Sequence, residues 1–144
     1  MHIALRPAVA QDFEYCRHLY FSGMSKIIEE LHLDKAAQDA SFSEQWVPAQ
    51  VQIITLDGSD AGWVQTTAQD GGVFIAQLFV DAPFQRRGIG TAVMNRLITD
   101  AARMNHPVSL AVAKINPAVR LYERLGFQVT HEDDRKFYMK RNPG

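Results

Sequence analysis

The sequence has a single cysteine, Cys16, among its 144 residues, so no disulfide can form within the chain. A cysteine-poor sequence of this kind is typical of proteins kept in a reducing compartment, which favours the cytoplasm. Because Cys16 lies in a helix-like stretch, we expect it to be a buried small hydrophobic residue rather than a nucleophile.

Long apolar runs are also missing. No stretch approaches the roughly 20 apolar residues that a membrane-spanning helix needs. The N-terminal residues lack the charged-then-apolar pattern of a signal peptide. We therefore expect no membrane partner and a cytoplasmic location.

Neither sign of charge is in excess. The chain has 15 basic and 16 acidic residues, which gives a formal net charge of -1. Binding to a nucleic-acid backbone normally needs a strongly basic face, so we expect no nucleic-acid partner. The five histidines are scattered, and none pairs with Cys, Asp or Glu at a metal-ligand spacing, so no metal site is predicted.

What the sequence does contain is enough apolar material for one core. Hydrophobic residues make up 47% of the chain and charged residues 22%, which is ordinary for a globular protein. No internal repeat or low-complexity linker interrupts the sequence. We therefore expect a single domain over residues 1–144.

The spacing of apolar residues predicts a mixed α/β (α+β) fold. Strands are predicted at residues 3–6, 51–56, 61–67, 73–80, 108–112, 127–130 and 137–140. Helices are predicted within residues 11–33, 41–46, 88–104 and 116–125, with Gly23 expected to divide the first stretch. Residues 51–80 should form an antiparallel meander whose last strand is apolar enough to be central in the sheet.

The loop after that strand has the residue types of a phosphate site. The first N–H groups of the following helix have no helical partners and lie at the positive end of its dipole. Gly88 and Gly90 have no Cβ, so an anion can approach the backbone closely. Arg86 and Arg87 add positive charge. The segment predicts a phosphate or pyrophosphate site, and the alternative is a tight strand-to-helix turn with two solvated arginines.

A dinucleotide-binding loop is a second interpretation of the two glycines, and the sequence disfavours it. The third glycine of that fingerprint is missing, and no acidic residue ends a second parallel strand about 20 residues on. Seven residues also separate Val80 from Gly88, whereas in that fold the strand runs almost directly into the first glycine.

The loop resembles the pyrophosphate loop of the GCN5-related N-acetyltransferase (GNAT) superfamily. The family pattern Gln/Arg-x-x-Gly-x-Gly/Ala is matched by Gln85-Arg86-Arg87-Gly88-Ile89-Gly90. A second family signature, an Asn, a Tyr six residues on and then Gly-Phe, is matched by Asn116, Tyr122, Gly126 and Phe127. The two motifs have the family's order and separation, and the predicted element order agrees from residue 3 to residue 140.

This resemblance implies a fold and a co-substrate. The fold would be a mixed, mostly antiparallel sheet flanked by helices, with a splay between the fourth and fifth strands. Acetyl-CoA would lie in that opening, with its pantetheine arm bonded to backbone groups near Leu78, Phe79 and Val80. The pyrophosphate would be held by Gln85, Arg86, Arg87, Gly88, Ile89, Gly90 and Thr91.

The downstream signature has an alternative interpretation at each position. By resemblance Asn116 lines the pantetheine arm, but an Asn before Pro117 is also a good helix N-cap. Tyr122 would be the catalytic general acid near the thioester sulfur, or else a core aromatic whose hydroxyl finds a partner. Arg120 and Arg124 could touch phosphates, although we expect them to be solvated.

The resemblance further implies an acyl-CoA-dependent N-acetyltransferase. A primary amine of a small molecule or peptide would attack the thioester directly in a ternary complex, and Tyr122 would protonate the leaving thiolate. Residues 73–80 contain no acid or histidine to act as a base. Glu29, Glu30 and His32 are candidates, although a solvated helix face is favoured for them.

Two other functions remain open on the same fold. One is a non-catalytic acyl-CoA-binding sensor module, and the other is an O-acyltransferase. The sequence also leaves open whether the chain is a monomer or a homodimer joined through its last strands. The aromatic residues of the first third of the chain could wall an acceptor pocket, but we expect them to form a core.

Overall fold

The computed structural model describes every residue from Met1 to Gly144 and contains seven strands and four α-helices. The strands are β1 (Ile3–Pro7), β2 (Val51–Leu56), β3 (Ser59–Gln69), β4 (Gly72–Val80), β5 (Val108–Ala113), β6 (Gln128–Glu132) and β7 (Lys136–Arg141). The helices are α1 (Phe13–Glu30), α2 (Lys35–Gln45), α3 (Ile89–Arg103) and α4 (Ala118–Arg124). The predicted order of elements is confirmed, with boundaries within a few residues except at the first two helices.

All seven strands belong to one sheet in the order β1-β2-β3-β4-β5-β7-β6. The β1–β2, β2–β3, β5–β7 and β6–β7 pairs are antiparallel, and the β4–β5 pair is parallel. The predicted fold class, a mixed and mostly antiparallel sheet with helices, is therefore confirmed. None of the helices is both long and apolar enough to span a bilayer.

The first helical stretch is one helix, so the prediction that Gly23 divides it is wrong. Helix α1 runs without a break from Phe13 to Glu30. A Cβ built at Gly23 would lie 2.6 Å from Cδ1 and 2.8 Å from Cε1 of Phe79. The glycine therefore makes room for an aromatic ring from β4. The cost of a glycine inside a helix is small enough for this packing to outweigh it.

The chain forms two compact units. The first comprises Met1–Gln65 and Gln77–Ile89, and the second comprises Thr66–Ala76 and Gly90–Gly144. The core of the first unit contains Cys16, Leu19, Tyr20, Phe42, Trp46, Val51, Ile53 and Trp63. The apolar residues buried in the second unit include Ile75, Val93, Met94, Ile98, Ala101, Val108, Leu110, Val112, Phe127 and Met139. The single domain expected for residues 1–144 stays a prediction.

Most early aromatic residues lie in the first core, as expected. Tyr20, Phe42 and Trp46 are buried, and Tyr15 and Phe21 pack against the same cluster. Cys16 is 0% exposed there, and burial raises the pKa of its thiol to about 12. The thiol therefore stays protonated at neutral pH, which confirms the prediction that Cys16 is a packing residue.

A charged network joins β1 to the start of α1 and to β3. Arg6 Nη2 lies 3.0 Å from Asp12 Oδ1 and 3.1 Å from Asp60 Oδ2. Asp12 Oδ2 also accepts a hydrogen bond from the backbone N–H of Val9 at 2.9 Å. The hydrogen bond from Arg6 lowers the pKa of the Asp12 carboxyl below its ordinary 3.8. This network therefore holds the N-terminal strand β1 against α1 and β3 within the first unit.

We predict that Asp12→Asn destabilises the protein at neutral pH by about 1 kcal/mol, after allowance for solvent screening of the partly exposed Arg6. Because the folded pKa is depressed, this contribution is complete above 3.8 and is lost as the pH falls through the folded value. Thermal unfolding between about pH 7 and about pH 2 should therefore show a flatter acid dependence for the variant. Asp70→Asn, at an exposed turn, is the control, and superimposable curves for Asp12→Asn and wild type would contradict the prediction.

Candidate acyl-CoA site

Strand β4 loses one of its partners part of the way along. It pairs in parallel with β5 through Val73–Val108, Phe74–Ser109 and Ile75–Leu110. The pairing ends there, although β4 continues to Val80 and β5 to Ala113. The backbone groups of β4 beyond Ile75 on this edge therefore lie outside the β4–β5 ladder. This is the splay predicted between the fourth and fifth strands.

On its other side, the C-terminal end of β4 is held within the first unit. The N–H of Asp81 donates to the carbonyl of Ala61 at 2.8 Å. The Phe79 carbonyl approaches Gly62 so closely that a Cβ at Gly62 would overlap it. The Phe79 ring packs against Tyr20 and Trp63, with both centroid distances at 5.6 Å. These contacts fix residues 77–80 from the β3 and α1 side.

The loop that follows β4 is short and internally bonded. It begins with a 3-10 turn at Ala82–Phe84 and ends where α3 starts at Ile89, one residue later than predicted. The Phe84 N–H donates to the Asp81 carbonyl at 2.9 Å. The Gln85 side chain donates through Nε2 to the Val80 carbonyl at 2.9 Å. The amide of Gln85 thus closes the loop onto its own strand.

Two residues of the loop have left-handed backbone conformations just before the helix. Arg86 has φ 65° and Gly88 has φ 75°. Such a conformation is uncommon for a non-glycine residue and is often found at ligand-binding loops. The first N–H groups of α3 have no helical partners and lie at the positive end of its dipole, which suits an anion. We call residues 85–91, the loop and this first turn, the cradle.

The surroundings of this loop fit a bulky anion. Arg86, Arg87 and Gly88 are exposed, whereas Ile89 is 1% exposed and anchors the start of α3. A Cβ built at Gly88 would meet no atom within 4 Å, so the space beside the backbone is open. The Arg87 guanidinium lies 5.9 Å from the centre of the Phe84 ring. Arg87 thus packs over the Phe84 ring, and both exposed arginines add positive charge beside the cradle.

In the second unit, Asn116 caps α4. Its Oδ1 accepts a hydrogen bond from the N–H of Ala118 at 2.9 Å, and its carbonyl accepts from the N–H of Val119 at 3.2 Å. Although α4 is assigned from Ala118, Pro117 before it already has helical φ -62° and ψ -16°. Asn116 therefore makes the side-chain bond of an N-cap residue with Pro117 in the first helical position, as the N-cap interpretation expects. The bond uses Oδ1 and leaves the Nδ2 donor for another partner, so contact with the pantetheine arm stays a prediction.

The spacing from Tyr122 to Gly126 and Phe127 has a local structural reason. The Phe127 N–H donates to the Tyr122 carbonyl and the Gly126 N–H to the Glu123 carbonyl, both at 3.0 Å. With φ 93° at Gly126, these bonds form a Schellman motif that ends α4. The Tyr122 and Phe127 rings meet edge to face at 6.1 Å, which is the apolar contact that accompanies this motif.

A residue of β7 completes the end of α4. Arg141 Nε donates to the Leu125 carbonyl at 2.9 Å and lies where a Cβ at Gly126 would be 3.0 Å away. Burial raises the pKa of the Tyr122 phenol above its ordinary 10.0. Tyr122 is therefore held on a capped helix in its neutral, proton-bearing form.

The remaining candidates are solvated, as expected. Arg120 and Arg124 of α4 are exposed, and so are Glu29, Glu30 and His32 near the end of α1. Our sequence analysis missed Gly62 and Arg141. A glycine within an apolar strand is a known signal of close backbone approach, so Gly62 could have been found. No local pattern marks Arg141, because its partner lies 16 residues away.

We predict that Gly126→Ala destabilises the protein by about 1–3 kcal/mol because alanine is strained at this positive φ. The added methyl group also crowds Arg141, so Gly126→Ala should lose more stability than Gly71→Ala. Gly71 has a similar φ of 74°, but a Cβ there meets nothing within 4 Å. Urea unfolding of the two variants measures the difference, and equal losses would show that the contact with Arg141 contributes nothing.

The sequence and the fold are similar to those of known acetyltransferases. The sequence profile of the Acetyltransferase (GNAT) family matches residues 13–127. An uncharacterized N-acetyltransferase of Methanocaldococcus jannaschii is 37% identical over 71 residues, which is 48% of this chain and 31% of that protein. The chain thus aligns with less than a third of that relative's length.

Solved structures share the fold at low sequence identity. A PaiA N-acetyltransferase of Thermoplasma acidophilum, solved in complex with coenzyme A, has a TM-score of 0.78 at 14% identity, covering 99% of both chains. An Escherichia coli enzyme, named as an N-acetyltransferase of a ribosomal-protein alanine, has a TM-score of 0.70 at 19% identity, covering 99% of this chain and 95% of that one. Since the family profile spans most of the sequence, the chain belongs to the GNAT family of acetyltransferases.

Proposed function

We propose that this protein is an acetyl-CoA-dependent N-acetyltransferase that moves an acetyl group to a primary amine of a small molecule or peptide. The transfer would be direct, within a ternary complex. The observation that carries the proposal is the strand–loop–helix segment from Val80 to Ile89, with its two left-handed residues and its open space beside Gly88. The lone buried cysteine is consistent with action in the cytoplasm.

The loop and strand residues fit coenzyme A. Backbone N–H groups from Arg86 to Thr91 would bind the pyrophosphate, with Arg86 and Arg87 adding charge. The backbone near Leu78, Phe79 and Val80 lies beyond the end of the β4–β5 ladder and would bond the pantetheine arm. Gln85 acts by holding the loop, because its side-chain amide is bonded to Val80. Asn116 would use its Nδ2 donor on the same arm.

Tyr122 would serve as the general acid. Bound acetyl-CoA supplies a thioester whose carbonyl carbon is open to attack by an amine. As the nitrogen–carbon bond forms and the carbon–sulfur bond breaks, the Tyr122 hydroxyl gives its proton to the leaving thiolate. The raised pKa of Tyr122 keeps this proton in place at neutral pH. Backbone N–H groups of β4 would stabilise the negative charge that develops on the carbonyl oxygen.

The proton lost by the amine has no partner on β4. That strand contains no acid or histidine from Gly72 to Val80. Glu29, Glu30 and His32 are exposed, and none of them is positioned by a hydrogen bond of its side chain to another residue. We therefore propose that water carries this proton. The rate should then rise with pH as the acceptor amine loses its own proton.

The named relatives support an amine as acceptor. The Escherichia coli neighbour acts on the alanine of a ribosomal protein, which is a peptide amine. The Methanocaldococcus relative is named an N-acetyltransferase, and the Thermoplasma neighbour was solved with coenzyme A. An oxygen acceptor has no such support here.

A non-catalytic acyl-CoA sensor is the second candidate, and the absence of a base on β4 favours it. Release of free thiol distinguishes the two functions. An enzyme releases free thiol from acetyl-CoA when the right amine is present, whereas a sensor binds acetyl-CoA without releasing thiol. A free-thiol assay against a library of amines and peptides, preceded by a thermal-shift test with acetyl-CoA, separates them.

We predict that Tyr122→Phe lowers kcat by about 10²–10⁴-fold, because it removes the general acid and keeps the ring. The contact with Phe127 remains, so the melting temperature and the acetyl-CoA affinity should change little. Thiol release at saturating acetyl-CoA measures the effect, with Tyr138→Phe at an exposed hydroxyl as control. An unchanged kcat would remove Tyr122 from the chemistry.

We also predict that a bulky side chain at Gly88 damages coenzyme A binding more than loss of either loop arginine. Gly88→Val should weaken binding by at least about tenfold, which is about 1.4 kcal/mol, because it fills the cradle. Arg86→Ala or Arg87→Ala should cost less than about fivefold, since exposed charges contribute little. Calorimetric titration with coenzyme A measures these affinities.

Gly71→Val is the matched control for Gly88→Val. The two glycines have φ values of 74° and 75°, and a Cβ meets no atom within 4 Å at either. The backbone strain is therefore equal, and only Gly88 lies at the proposed site. If Arg86→Ala or Arg87→Ala binds coenzyme A more weakly than Gly88→Val does, the cradle is not made mainly of backbone groups.

A further inference from the structure

Phe79 is confined on several sides by residues of the first unit. Its ring lies against α1 at Gly23, where a Cβ would be 2.6 Å from Cδ1. Tyr20 meets the ring edge to face, and Trp63 lies tilted against it, each with centroids 5.6 Å apart. These contacts confine the ring on the α1 side and on the β3 side.

The backbone of Phe79 is confined as well. Its carbonyl occupies space that a Cβ at Gly62 of β3 would need, and the Val80 Cα lies 3.1 Å from the same point. Two residues on, the Asp81 N–H bonds the Ala61 carbonyl at 2.8 Å. The position of the Phe79 ring thus requires that Gly23 has no side chain, and the position of the Phe79 carbonyl requires the same of Gly62.

These contacts lie on the segment of β4 that has left the β4–β5 ladder. Beyond Ile75, β5 no longer fixes the strand, so its position is set by packing within the first unit. Because the backbone groups of Phe79 face β3, those of its neighbours Leu78 and Val80 face the open edge that the proposed function assigns to the pantetheine arm. Their orientation decides whether hydrogen bonds to that arm can form.

We propose that Gly23 and Gly62 are positioning residues for acyl-CoA binding, which act by giving Phe79 the space that sets the Phe79–Val80 backbone. This inference rests on the proposed function for its ligand. Gly23 acts through the Phe79 ring. The predicted helix break at Gly23 is thereby replaced by a role in placing the strand.

A methyl group at Gly23 would overlap the Phe79 ring. The ring would have to move by roughly 1 Å to reach an ordinary carbon–carbon contact of about 3.5–4.0 Å. Tyr20 and Trp63 block the easy displacement, so part of the movement passes to the backbone of β4. A displacement of this size in a positioning element can cost up to about 100-fold in function.

Gly23→Ala tests the proposal, because alanine is otherwise favoured over glycine within a helix. We expect the affinity for coenzyme A, measured by calorimetric titration, to fall about tenfold. The Asp81 amide should also exchange with solvent faster, since its bond to Ala61 lies at the end of the displaced strand. Gly62→Ala is less useful, because the overlapping atom belongs to the backbone and the variant is expected to fold poorly.

Phe79→Val provides the rescue. Valine has no atom beyond Cγ, and the Cγ of Phe79 lies at an ordinary 3.9 Å from a Cβ at Gly23, so the overlap with the δ and ε carbons is removed. The double variant Gly23→Ala/Phe79→Val should therefore bind coenzyme A within about twofold of Phe79→Val alone. A merely destabilised helix would instead show additive losses. Ser22→Ala, at the exposed neighbouring position on α1, is the matched control and should behave as wild type.

The outcomes separate the two proposals. Gly23→Ala with wild-type affinity and a higher melting temperature would overturn the positioning role. A double variant that binds coenzyme A much more weakly than the Phe79 single variant would overturn it as well. If wild-type protein gives no binding with millimolar coenzyme A, the proposed function is wrong and the ligand side of this inference falls with it. The exchange rate of the Asp81 amide still decides, without any ligand, whether Gly23 holds β4 in place.

Discussion

The structure depends on how β4 satisfies its backbone hydrogen bonds. Peptide groups removed from water need partners, and most strands find them on both sides. In this chain the β4–β5 ladder ends after Ile75–Leu110, although β4 continues to Val80. Close packing on the β3 side, permitted by Gly62 and strengthened by Phe79, keeps this end of the strand extended. The groups outside the ladder are available to a ligand with an extended, amide-bearing arm.

We propose that the loop after β4 uses free backbone groups in the same way, to bind an anion. The binding groups would be backbone N–H donors at the left-handed residues Arg86 and Gly88 and at the start of α3. Side chains mainly support this geometry, as the bond from Gln85 to Val80 illustrates. Such a site would select the co-substrate and leave the acceptor undefined, so one fold could serve different acceptors.

Much of the fold could be predicted, because periodicity and turn chemistry are local. The strands and α3 follow from apolar spacing, and the end of α4 follows from Gly126. Gly23 was misinterpreted because a glycine in a helix has the same local pattern whether it breaks the helix or makes room for a distant ring. The left-handed backbone at Arg86 and the bond from Arg141 to Leu125 depend on tertiary structure. The acceptor amine has no local signature.

The central claim is that backbone groups of β4 and of the loop before α3 bind acyl-CoA. Amide chemical shifts of isotopically labelled protein, followed by NMR during titration with coenzyme A, test it most directly. We expect saturable binding with the largest shifts at the N–H groups from Arg86 to Thr91 and at Leu78 and Val80. Saturable binding that leaves these amides unperturbed, or no binding at millimolar coenzyme A, would contradict it.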